Sequence, residues 1–226
     1  MIKHNCKECK LKAAATCHLT NEEFQDLENN SVSVQFKKGE SIIKQNALSL
    51  NVAYLRKGMA KVHMQGPTRD KILRVVKAPT FLGLPTSFGE KINQFSVTAI
   101  NDAEVCFIDL GIFRNLIFSN GKFAYELIVE LCRNELNDYF RYASLAQKQI
   151  PGLVAETLLC FSEKLFESND FTMPLTRGEI GDLIGTSRES VSRILSDMSQ
   201  DKIISLDASQ ISILNKDALS KISDKG

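Results

Sequence analysis

The chain has 226 residues, with 28 Lys and Arg against 27 Asp and Glu, 43% hydrophobic residues, no Trp and six Cys. At about 100 to 200 residues per domain this is one large domain or two modest ones with room for a packed core, and average apolar and charged content excludes a disordered or fibrous chain. A net charge of +1 argues against holding nucleic acid or anionic lipid through bulk charge, while leaving room for reading by a few placed side chains.

Residues 1–20 have no apolar core of signal-peptide length, and no later apolar run approaches the ~18 residues of a membrane span, so a cytoplasmic protein without membrane contact is expected. In that reducing compartment cysteines are expected as thiols or metal ligands. Cys6, Cys9 and Cys17 crowd this head, whereas Cys106, Cys132 and Cys160 lie singly in apolar surroundings. Cys132 and Cys160 are expected in the core. The next stretch, Thr20-Asn21-Glu22-Glu23 before Phe24 and Leu27, predicts a short helix with Thr20 as its cap and Glu23 in the capping-box position.

Over residues 21–120 short alternating segments dominate after that helix: Val32-x-Val34-x-Phe36, Ile42-Ile43, Val52-x-Tyr54, Ala60-x-Val62, Ile72 to Val76, Phe95-x-Val97-x-Ala99 and Val105-x-Phe107. Glycines and prolines punctuate them at intervals near ten residues, which predicts an antiparallel β-roll.

Residues 121–150 change period. Tyr125, Ile128, Cys132, Leu136, Tyr139, Ala143 and Ala146 recur at steps of three and four without Pro or Gly, predicting one long helix from Lys122 to Gln149. Leu127 and Leu131 are expected to pack on the roll. A helix of this length outruns one side of a small core, so Ile128, Cys132, Leu136, Tyr139 and Ala143 are expected in a homodimer interface; the other reading is a core helix within one chain.

Pro151-Gly152 opens the last region, residues 151–226. Val154 to Phe166 reads as a helix, and Ile203 to Ile213 alternates about a polar turn as a hairpin. Between them Arg177 to Leu195 has helix-turn-helix spacing: Ile180, Ile184, Val191 and Ile194 supply the buried face, Gly181 allows close approach, and Gly185 suits the positive φ of a tight turn. Ser187 would cap the second helix. Its exposed face carries Arg188, Glu189, Ser192 and Arg193, whose side chains match guanine, cytosine and other base edges in a major groove. Thr176, Arg177 and Ser187 suit phosphate contacts. Three arginines balance three acids from Arg177 to Leu195, so affinity is expected from placed contacts in two half-sites of a dimer. The competing reading is an ordinary helical pair with a solvated charged face.

With those residues in place, the chain resembles the CRP/FNR family of bacterial transcription regulators over nearly its whole length. The glycines Gly39, Gly58 and Gly83 of the roll, the long helix, and Leu175-Thr176-Arg177 through Ile194-Leu195 carry the likeness. Ser187-Arg188-Glu189 is similar to the CRP branch and Glu189-Ser190-Val191-Ser192-Arg193 to the FNR branch. The resemblance implies an α+β fold: an N-terminal antiparallel β-roll like a cyclic-nucleotide-binding jelly roll, a dimerisation helix and a C-terminal winged helix-turn-helix. It implies a homodimer on palindromic double-stranded DNA, with half-sites of the TTGAT or TGTGA kind and RNA polymerase as partner.

The family's CRP branch holds cyclic AMP through a Gly-Glu pair and an Arg-Ser pair. Here Leu84 stands in place of the acid and Phe95 in place of the Arg, so the usual mode of cyclic AMP binding is not expected. Cys6-x-x-Cys9 with Cys17 resembles the cysteine head of the FNR branch, and Cys106 matches its fourth ligand, which implies a 4Fe-4S cluster that senses oxygen, nitric oxide or redox state. Seven residues separate Cys9 from Cys17, against five in the best-known pattern. Other readings stand beside the cluster: zinc on Cys6, Cys9 and Cys17 with Cys106, His18 or His4; a thiol switch; a buried Cys106 with an uncommitted head; and an unidentified small-molecule effector in the β-roll. A cupin-like enzyme is the alternative of another class, but His63 is the only histidine in the roll and no catalytic motif accompanies it.

Overall fold

The computed structural model describes residues 14–226; Cys6, Cys9 and His4 lie outside them. The described chain divides into two units. One holds the residues up to Gly66 together with Leu73–Leu136, and the other Pro67–Ile72 with Asn137–Gly226.

In the first unit a 3-10 turn, Ala14–His18, leads into α1 (Asn21–Asn29). Thr20 Oγ1 accepts from the Glu23 amide at 3.3 Å and Glu23 Oε2 accepts from the Thr20 amide at 2.7 Å, which makes the expected capping box. Eight strands follow: β1 (Ser31–Phe36), β2 (Ser41–Ile43), β3 (Asn51–Lys57), β4 (Met59–Gln65), β5 (Asp70–Lys77), β6 (Thr80–Leu82), β7 (Ser96–Ala99) and β8 (Ala103–Asp109). They form two four-stranded sheets, β1-β8-β3-β6 and β2-β7-β4-β5. Between the sheets lies an apolar interior of Ile42, Leu55, Val62, Leu82, Val97 and Val105. Alternation puts the other face of β3 and β8 outward. There Val52, Tyr54, Cys106 and Ile108 join Ala15, Leu27, Phe113, Phe123 and Leu127 in a second core.

Three helices cover that outer face or cross between strands: α2 (Leu84–Gly89), α3 (Leu110–Ser119) and the first part of α4 (Gly121–Gln147). Asp109 Oδ1 caps α3 by accepting from the amides of Gly111 and Ile112. Phe113 is the keystone, with its ring centroid 5.3 Å from Phe81 and 5.5 Å from Phe123. Helix α4 matches the expected long helix within two residues at each end. Leu127 is buried as expected, whereas Leu131 is exposed. Cys132 is exposed too, which corrects its assignment to the core: the seam it belongs to is not covered by its own chain. Cys160 is half-buried.

The second unit adds α5 (Ile150–Cys160), a π turn (Phe161–Phe166), β9 (Asp170–Thr172), α6 (Arg177–Ile184), α7 (Arg188–Gln200), β10 (Ile204–Asp207), β11 (Gln210–Ile213) and α8 (Lys216–Lys225). Pro151 sits in the first turn of α5, where its missing N–H costs nothing. The expected hairpin β10–β11 is present and gains β9 as a third strand. Among the described residues no helix is long and apolar enough to cross a membrane.

Candidate nucleic-acid interface and cysteine site

Helices α6 and α7 pack through Ile180, Leu183, Ile184, Val191, Ile194 and Leu195, all buried. Gly185 ends α6 at φ +83°, a conformation glycine adopts without strain. At Gly181 an added Cβ would stand 2.6 Å from the Thr186 carbonyl oxygen, so the tight turn depends on the missing side chain. Thr176 caps α6: its hydroxyl accepts from the Glu179 amide at 3.2 Å, and Glu179 Oε2 accepts from the Thr176 amide at 2.8 Å. Ser187 caps α7 by accepting from the Ser190 amide at 3.1 Å.

These caps aim the second helix. Arg188, Glu189 and Arg193 are exposed and Ser192 is half-buried beside them. The Glu189 carboxyl is held below its usual range, first by its own backbone amide and then by the Ser187 hydroxyl, so it presents a carboxylate acceptor. A cleft of about 500 Å³ opens between the starts of α6 and α7 and the β10–β11 turn, lined by Thr176, Arg177, Gly178, Arg188 and Ser209. Burial lowers the pKa of the Arg177 guanidinium, and its Nη1 is buried without a hydrogen-bond partner. A buried donor left unpaired is costly.

The end of α6 has supports that the motif does not announce. The Leu183 carbonyl accepts from Arg141 Nη2 at 2.8 Å and from Lys71 Nζ at 3.0 Å, while the Thr186 carbonyl accepts from Arg69 Nη2 at 3.0 Å. Cations at a helix C-terminus meet the negative end of its dipole. Nothing in the local pattern of Arg69, Lys71 or Arg141 signals this, because the three meet α6 only through the fold.

In the first unit, Cys17 is exposed at the end of the 3-10 turn, and Cys106 is 7% exposed on β8. Ala15 and Leu19, on either side of Cys17, share one core cluster with Cys106. Burial pushes the Cys106 thiol up, opposed by the nearby Arg56 charge and Ser33 hydroxyl. Among the described residues no group of three metal-ligating side chains occurs. Leu84 packs in the same outer core, and Phe95 packs against the roll interior. Ser96 Oγ accepts from the Gln45 amide at 3.0 Å.

The profile of the cyclic nucleotide-binding domain matches residues 33–120, and that of the Crp-like helix-turn-helix domain matches residues 154–222. The chain belongs to the CRP/FNR family. It is 29% identical over 157 residues to the cAMP-activated global transcriptional regulator CRP of Pasteurella multocida, covering 67% of this chain and 75% of that one. The transcriptional activator protein Anr of Pseudomonas protegens is 22% identical over 219 residues, 93% of this chain and 89% of its own. Among solved structures, FixK2 from Bradyrhizobium japonicum shares the fold at a TM-score of 0.77 and 20% identity, over 85% of this chain and 96% of that one. As a CRP/FNR member the chain is a DNA-binding transcription regulator. The relatives are regulators rather than enzymes, so the cupin-like alternative falls.

Proposed function

We propose that this CRP/FNR regulator works in the cytoplasm as a homodimer, binds a palindromic site with RNA polymerase as partner, and senses oxygen, nitric oxide or redox state. Arg188, Glu189, Ser192 and Arg193 read base edges; Thr176, Arg177 and Ser187 hold phosphates. The unpaired, buried Nη1 of Arg177 beside an open cleft supports the phosphate role, since an anion would supply its missing acceptor. The dimer interface runs along α4 through Ile128, Cys132, Leu136, Tyr139 and Ala143, all exposed on the single chain. Such a row of apolar side chains is unusual on a monomer surface.

The sensing group is a 4Fe-4S cluster held by Cys6, Cys9, Cys17 and Cys106. The observation that carries this reading is the shared core of Cys106 with Ala15 and Leu19, which keeps the segment bearing Cys17 on the same face of the roll as the Cys106 side chain. The chemistry such a cluster supplies is reaction with oxidants and small gases. Cyclic AMP in the usual mode fits poorly: Leu84 and Phe95 are committed to apolar packing, and a buried phosphate needs a cation.

Anaerobic purification of the full chain tests the reading. Iron and sulfide with absorbance at about 400 nm are expected, together with loss of operator binding in air. Colourless protein with stoichiometric zinc would replace the cluster by a structural metal, and retention of iron by Cys106→Ser would remove Cys106 from the ligand set. Binding-site selection tests the DNA reading: enrichment of non-palindromic sequences would sink it.

A further inference from the structure

The segment Pro67–Ile72 belongs to the same unit as the helix-turn-helix, and it brings two cations to the turn between α6 and α7. Lys71 Nζ, with Arg141 Nη2, donates to the Leu183 carbonyl at the negative end of α6, where the helix dipole accounts for both. Arg69 is placed differently. Its Nη2 donates to the Thr186 carbonyl at 3.0 Å, and its Nε lies 3.5 Å from Asp182 Oδ1. Thr186 lies beyond the Gly185 cap that ends α6, and the next residue, Ser187, caps α7. The Arg69 charge therefore stands at the positive end of α7, where the dipole opposes a cation.

Stability is a weak reason for that placement. The Asp182 pair is longer than the about 2.7 to 2.9 Å of a strong charged hydrogen bond, and an exposed ion pair contributes little. The Arg69 side chain is 49% exposed, and these two contacts leave its Nη1 without a partner among the described residues. A reading helix enters the major groove by its N-terminal residues, and that groove is about 12 Å wide. A side chain bonded to the residue just before the cap of that helix stands at a phosphate wall of the groove. We propose that Arg69 is a further phosphate contact for operator DNA, its Nη1 donating to a backbone oxygen beside the start of α7 while Thr186 and Asp182 fix the plane of the guanidinium. Such a contact adds affinity without reading sequence, and it comes from outside the helix-turn-helix. The inference rests on α7 as the reading helix.

The test uses the full chain as wild type, Arg69→Gln, Arg69→Gln combined with Asp182→Asn, and Glu189→Ala combined with Arg193→Ala. Affinity for a duplex recovered by binding-site selection and for a random duplex of the same length is measured over a salt series, with the melting temperature of each variant. Arg69→Gln is expected to melt near the wild type, to weaken both duplexes several-fold alike, and to make the slope of log affinity against log salt shallower by about 1. The variant that also carries Asp182→Asn should do the same; it leaves no acid unpaired, and it decides the matter if the single variant fails to fold. An unchanged slope overturns the inference. So does a loss confined to the selected duplex, which is what a residue that only positions the turn would give. If the Glu189 and Arg193 variant loses discrimination while the Arg69 slope stays at the wild-type value, α7 still reads and only the Arg69 contact falls. If that variant keeps full discrimination, the reading helix and the Arg69 contact fall together.

Discussion

The α carbon of Gly181 faces the Thr186 carbonyl so closely that a single added methyl carbon would lie 2.6 Å from its oxygen. Helix propensity favours Gly181→Ala by about 1 kcal/mol, but that contact is backbone and cannot swing aside. The steric cost of about 1 to 3 kcal/mol for overpacking wins. Gly181→Ala should melt lower than the wild type and lose operator affinity. A melting temperature at or above the wild type's would show that the turn relaxes freely.

The capping box at α6 predicts a smaller effect. Thr176→Ala leaves the Glu179 amide without its 3.2 Å acceptor and should cost about 1 kcal/mol of stability. Thr176→Ser keeps the hydroxyl and should recover most of it. Equal denaturant midpoints for the two variants would contradict the assignment.

Base reading is separable from folding, because Glu189 and Arg193 are exposed. Glu189→Ala and Arg193→Ala should each lose about 1 to 3 kcal/mol of discrimination between operator and random DNA, with melting temperatures unchanged. Competition binding at fixed salt measures this. Unchanged discrimination removes the residue from the reading set.

Glu130 on α4 accepts from Thr80 Oγ1 at 3.3 Å. Burial raises its carboxyl above the ordinary range, only partly countered by the Thr80 hydrogen bond and by Arg74 and Arg133. A carboxyl with a raised folded-state pKa contributes stability below its unfolded value, and that contribution disappears as pH rises through the folded value. Glu130→Gln should therefore melt above the wild type at neutral pH, and the gap should close below about pH 4. A gap that widens on acidification would reverse the sign.

The α4 seam predicts assembly. Ile128, Leu136 and Tyr139 are each more than half exposed, so Ile128→Asp or Leu136→Asp should leave the fold intact while shifting the dimer to monomer in sedimentation. Operator affinity should fall with it, since one half-site contact set is lost. A variant that stays dimeric places the interface elsewhere.

Much of this fold is legible in the sequence where chemistry is local. Thr20 and Glu23 announce their helix, Gly181 and Gly185 announce the helix-turn-helix, and alternation from Val32 to Phe107 announces the roll. Helix α3 goes unread because six of the nine residues from Leu110 to Phe118 are large apolar side chains crowded on both sides of Arg114-Asn115, which blurs a helical period; its one clear signal is Asp109 two residues before Gly111. Helix α8 has a readable cap, Asn215, whose Oδ1 accepts from the Ala218 amide at 3.0 Å, yet the segment is too polar to stand out. The π turn at Phe161–Phe166 has no sequence signature. Cys132 is exposed because an apolar row along a helix does not require burial inside one chain. At the candidate cysteine site, Cys106 is visible from its neighbours, but Arg56 is not. It falls where the pairing of β3 with β8 shifts register between Leu55 and Lys57, and such a bulge is a property of paired strands rather than of either sequence alone.

The balance of three arginines against three acids from Arg177 to Leu195 has a further effect. Counterion release from a duplex scales with the number of phosphates that Lys and Arg neutralise; a motif with three arginines is expected to give a modest salt dependence. Occupancy of an operator is then expected to be governed at the base edges, where a single altered base pair weighs about 1 to 3 kcal/mol.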